Sequence, residues 1–102
     1  MKQYNKLIRD KIPEIIESKD EKFETHIAND SEYWLKLIEK LKEETSEFEE
    51  NPSIDELSDI LEVIDAISDF KNFDANEVQK TKSEKLEKRG GFEKRLILDW
   101  TE

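Results

Sequence analysis

Between positions 54 and 70 the chain repeats apolar residues at helical spacing, and two acids fall inside the apolar sector. At about 100° per residue, Ile54, Leu57, Ile60, Leu61, Val63, Ile64, Ala66, Ile67 and Phe70 fill a broad arc of one helix. Glu56 and Asp59 lie within that arc, whereas Asp55, Glu62, Asp65 and Asp69 gather on the polar side, where solvated charges belong. Removing an unpaired carboxylate from water costs on the order of several kcal/mol, so such acids are neutralised, paired with a base or bound to a metal. Two buried anions demand a partner.

The neighbouring segments read as helices too. Asn29, Asp30 and Ser31 offer N-caps to an amphipathic helix over about 31–50, with Trp34, Leu37, Ile38, Leu41, Thr45 and Phe48 on one face. Asn51 and Pro52 stop it. Ser53 followed by Glu56 resembles a capping box and opens the second helix, which runs to about Lys71. Asp74 caps a third over 74–89 that ends at Gly90 and Gly91, and its apolar positions are only Ala75, Val78 and Leu86. So sparse a stripe leaves one side to solvent, a partner or a ligand. Pro13 suits the first turn of a short helix through Ser18. Residues 23–28 and 95–98 have β-like character and predict a small two-stranded accessory beside an extended C-terminal tail. The predicted fold class is all-α, a small antiparallel helical bundle in a single domain over residues 1–102.

At 102 residues, with 34% hydrophobic against 43% charged, the core must be thin. A subunit interface would bury the apolar stripes that one small chain leaves open, which predicts a homodimer or higher homo-oligomer. With no cysteine there is neither a disulfide framework nor a thiolate metal site, and hard oxygen ligands remain. No apolar run has the length of a signal peptide or a membrane span, so a soluble cytoplasmic protein without membrane contact is expected.

The net charge of −10 is unevenly spread. Residues 31–70 carry 13 acids and 3 bases, residues 1–12 carry 4 bases and 1 acid, and residues 71–95 carry 8 bases and 5 acids. An acidic centre framed by cationic flanks suits a divalent cation held together with a polyphosphate and does not suit nucleic acid.

Glu44 and Glu47 are spaced i, i+3 on the first long helix at the border of its apolar stripe, and Glu56 and Asp59 repeat that spacing on the next. A tight antiparallel turn would set the two pairs opposite each other. Like charges so placed destabilise a helix, and Mg²⁺, or Mn²⁺ in its place, would remove the penalty. Such a site fits hydrolysis of a phosphoanhydride by a metal-activated water, with a carboxylate accepting its proton. Lys6, Arg9 and Lys11 on one flank, and Lys82, Lys85 and Arg89 with Lys94 or Arg95 on the other, are candidate phosphate contacts. Asp10 is placed to orient Arg9. The single His26 sits in a polar segment away from the acids and is assigned no role; Trp34 and Trp100 read as core or interface groups.

The pattern Glu44-Thr45-Ser46-Glu47 followed by Glu56-Leu57-Ser58-Asp59 resembles the ExxE and ExxD motifs of the all-α, MazG-like nucleotide pyrophosphohydrolases, which include phosphoribosyl-ATP pyrophosphohydrolase. The segments Tyr4-Asn5-Lys6-Leu7-Ile8-Arg9-Asp10-Lys11-Ile12-Pro13 and Arg89-Gly90-Gly91-Phe92 are similar to the opening and closing signatures of a small house-cleaning subgroup. The resemblance implies an all-α oligomer that depends on Mg²⁺ and cleaves noncanonical nucleoside triphosphates to the monophosphate and pyrophosphate. It makes Glu44, Glu47, Glu56 and Asp59 the metal ligands. Residues 48–55 separate the two motifs here, a shorter connection than the group usually has. Two other readings compete: phosphoribosyl-ATP hydrolysis, and a non-enzymatic acidic helical module that binds a basic partner through residues 43–69.

Overall fold

A computed structural model describes residues 2–102, which form four helices and, among the described residues, no strand. Helix α1 (Ile12–Ser18) begins with Pro13 in its first turn and stops at Asp20, whose φ of 56° leaves the helical region. Helix α2 (Asp30–Glu50) is capped by Asn29, whose side chain accepts from the Glu32 N–H at 2.9 Å. Helix α3 (Ile54–Phe70) is capped by Ser53, whose Oγ accepts from the Glu56 N–H at 3.2 Å. Helix α4 (Ala75–Arg89) starts at Asp74, which accepts from the N–H groups of Asn76 and Glu77. At its other end, Gly90 takes φ 80° and donates its N–H to the Leu86 carbonyl. Each cap satisfies N–H or carbonyl groups that a helix end leaves open, which is why the observed boundaries lie within a residue of those expected.

Extensive helix packing among the described residues is confined to α2 against α3. The three-residue turn Asn51-Pro52-Ser53 folds them into an antiparallel hairpin. At the end remote from the turn, Phe70 meets the Tyr33 ring edge-on at 5.0 Å and stacks on Trp34 at 6.2 Å, with the Lys71 ammonium 4.1 Å from the Trp34 ring. Leu37 and Val63 are the buried apolar residues between the helices. Thr45, expected on the packed face of α2, is exposed and donates to the Lys42 carbonyl; Glu44 is buried one position earlier.

The hairpin divides the apolar arc of α3. Glu56, Asp59, Ile60, Val63, Ile67 and Phe70 are at least partly covered, whereas Ile54, Leu57, Leu61 and Ile64, spaced i, i+3, i+7 and i+10, are exposed. The two acids of the arc therefore belong to the covered stripe.

The expected two-stranded accessory is absent. Residues 23–28 and 95–98 run as irregular chain, with Ile27 99% exposed and Leu96, Ile97 and Leu98 all open to solvent. A strand is stable only when its backbone groups are paired, and no backbone hydrogen bond joins the two segments. The tail after Gly90 is extended as expected, broken by a turn in which the Arg95 N–H reaches the Phe92 carbonyl. No helix of the described residues is long and apolar enough to cross a membrane.

Candidate metal centre

The turn between α2 and α3 sets the register that unites the acids. Glu44 stands two turns before the end of α2 and Glu56 and Asp59 occupy the first two turns of α3, so the hairpin brings them to the same level. One carboxylate oxygen from each of Glu44, Glu56 and Asp59 lies within 4.8 Å of the others. Glu44 is 6% exposed, and its Oε2, like Oε2 of Glu56, is buried without a hydrogen-bond partner. An orphaned buried carboxylate oxygen is costly and rare in a folded protein, and a proton, a water or a cation would satisfy it. Three hard oxygen donors from two helices fit Mg²⁺ or Mn²⁺.

The electrostatics follow from this crowding. Burial holds the Glu44 carboxyl above its usual proton affinity, opposed by the Lys40 ammonium at 3.4 Å and reinforced by the charges of Glu47 and Asp59. Glu56 is pushed the same way by desolvation and by Asp59, Glu44 and Asp55, with the neighbouring Glu47 carboxyl in opposition. Glu43 behaves in the opposite sense. Partial burial pushes it up, but Lys40 and Lys6, each 3.3 Å away, outweigh this and hold it below the ordinary carboxylate range.

Of the four acids expected at the site, three converge. Glu47 is exposed and lies outside the trio, yet near enough to act on Glu44 and Glu56. Among the basic residues, Arg9 Nη2 donates to Asp59 Oδ1 at 2.8 Å and Lys6 pairs with Glu43. Lys11 is exposed. Lys82, Lys85 and Arg89 are elsewhere: they line an open groove of about 980 Å³ along α4 with Phe73, Val78, Leu86 and Phe92, and that groove shares no residue with the acidic trio. His26 bonds Glu32 at 2.9 Å, away from the trio.

Sequence reasoning overlooked Lys40. The i, i+3 and i, i+4 spacing of Lys40 from Glu43 and Glu44 was the available signal, because those positions are neighbours on any helix. Comparison with protein-family models, with curated proteins and with solved structures finds no match to this chain.

Proposed function

We propose that this protein is a Mg²⁺-dependent nucleoside triphosphate pyrophosphohydrolase of the MazG-like kind, releasing pyrophosphate and a nucleoside monophosphate. The observation that carries the reading is Glu44: a buried carboxylate with an unpartnered oxygen, on a hairpin that supplies two more carboxylates from the facing helix. A purely structural role would favour an apolar residue in that seam.

In this reading Glu44, Glu56 and Asp59 hold the cation, which would neutralise phosphate oxygens and acidify a water. Water attacks the α-phosphorus, a new P–O bond forms, the bond from that phosphorus to the bridging oxygen breaks, and pyrophosphate departs with the electron pair. Glu47, exposed and beside the trio, is the carboxylate left to take the water's proton. Arg9, paired with Asp59 of the trio, is the basic group placed to meet the phosphates first, while Lys6 pairs with Glu43.

The same reading includes self-association. The accessible surface of 9901 Å² compares with roughly 6,100 Å² for a compact monomer of this mass. The radius of gyration of 18.3 Å compares with about 13 Å. The uncovered stripe of α3 and the groove of α4 are what a second copy would bury, and this would also offer Lys82, Lys85 and Arg89 a route to an acidic trio.

The test is incubation with Mg²⁺ and a panel of normal and damaged nucleoside triphosphates, followed by assay of products. Pyrophosphate is expected; orthophosphate alone, or a fully active Asp59→Asn variant, contradicts the proposal. Turnover of phosphoribosyl-ATP alone would move the assignment to histidine synthesis. No turnover, with no effect of Mg²⁺ on the melting temperature beyond that of matched ionic strength, would favour the acidic interaction module.

A further inference from the structure

Residues 2–11 form no helix, yet they are tied across the hairpin at three points. The Asn5 carbonyl accepts from Lys36 Nζ at 2.6 Å, Lys6 pairs with Glu43 at 3.3 Å, and Arg9 pairs with Asp59 at 2.8 Å. The first two ties bind the strap to α2. The third is different, because Asp59 is also a member of the carboxylate trio.

Arg9 sits there as an exposed counter-ion. Its side chain is 58% exposed while that of Asp59 is 29% exposed, so the guanidinium approaches the trio from solvent and can leave without opening a cavity. The pair is a single N–H···O contact, which leaves other donors of the fork unused by Asp59. Glu44 Oε2, nine-tenths buried within the same trio, is left unpartnered by it. One guanidinium therefore compensates part of a site whose remaining negative charge still calls for a small cation.

We infer that Arg9 is a displaceable internal cation: it occupies Asp59 when no divalent ion is bound, and the ion that takes the Asp59 oxygen releases the guanidinium toward an incoming polyphosphate. The inference rests on the metal-site reading above and adds an order of events. Metal entry exchanges one Asp59 partner for another, and the freed fork is then the nearest unpaired group suited to bidentate phosphate recognition. The strap remains held by Lys6 and by the Asn5 carbonyl, so only a side chain needs to move.

The test is calorimetric titration of Mn²⁺ into the nucleotide-free full chain and its Arg9→Gln and Lys6→Gln variants, folded state being verified by circular dichroism. An exposed pair of this kind competes by an amount that makes Arg9→Gln bind Mn²⁺ about two- to fivefold more tightly than wild type. Lys6→Gln loses the same charge from the same strap but leaves Asp59 paired, and its affinity changes less. In the wild-type chain, Mg²⁺ should also shift the Arg9 Nε–Hε resonance, a readout that needs no variant. Equal affinities for wild type and Arg9→Gln, an equal gain in Lys6→Gln, or an unmoved Arg9 resonance on Mg²⁺ binding would each overturn the displacement while leaving the metal site standing. Absence of any binding to all three proteins would overturn the site itself and the displacement with it.

Discussion

Glu44 shows how a single buried acid can be expensive for the fold, and in the proposed reading that expense serves a metal site. Burial raises its proton affinity, as crowding raises that of Glu56, so the folded chain holds these protons more tightly than the unfolded chain does. Stability from such groups is complete below their unfolded pKa and is lost as pH rises through the folded value. Without divalent ions, the melting temperature should therefore fall as pH rises through and above the ordinary carboxylate range on account of these two acids. Glu43, whose proton affinity is lowered by its lysines, opposes this trend at the acid end. Glu44→Gln should raise the melting temperature at neutral pH by about 4 °C, corresponding to roughly 1 kcal/mol, while weakening Mn²⁺ binding. Differential scanning fluorimetry with and without chelator measures the first effect and calorimetry the second. A variant that loses stability and keeps its metal affinity would show Glu44 to be only a partner for Lys40.

At the scale of elements, the caps and the seam contribute unequally. Ser53 begins the helix that carries Glu56 and Asp59 and packs on α2, so Ser53→Ala should cost about 1 kcal/mol in urea unfolding. Asp74→Ala removes a comparable cap, but α4 takes no part in the packed hairpin; its loss should fray α4 in circular dichroism with little movement of the main transition. Equal shifts for the two variants would mean that α4 is packed in solution. Leu37 is 1% exposed at the centre of a thin seam, and Leu37→Ala is expected to cost about 2–5 kcal/mol. Against a total stability of about 5–15 kcal/mol for an ordinary domain, that loss would leave a substantial unfolded population at 37 °C.

The whole molecule measures 60 × 31 × 27 Å, too drawn out for its length to be explained by one hairpin core. Sedimentation velocity should find a dimer or larger species, and Leu61→Glu, on the open stripe of α3, should shift it to monomer and lower a concentration-dependent melting temperature. A monodisperse monomer of unchanged stability at all concentrations would contradict the assembly. The helices themselves were legible in the residues: Asn29, Ser53, Asp74 and Gly90 stand where caps must stand, and the apolar spacing between them has the helical period. The strands at 23–28 and 95–98 were misread because β-like residue types say nothing of whether a second strand lies beside them to pair with. The acidic site was legible in part. Glu56 and Asp59 declare themselves by lying in an apolar arc, and Glu44 by facing them across a short turn; Glu47 shares the motif yet lies outside the packed stripe. Helical phase and caps are local properties, carried by residues within a turn or two of one another, so a linear chain states them. Which oxygen is left without a partner, and that Arg9 reaches across 50 positions to compensate Asp59, depend on how two helices and a strap meet in space, and no neighbouring residue encodes that distance.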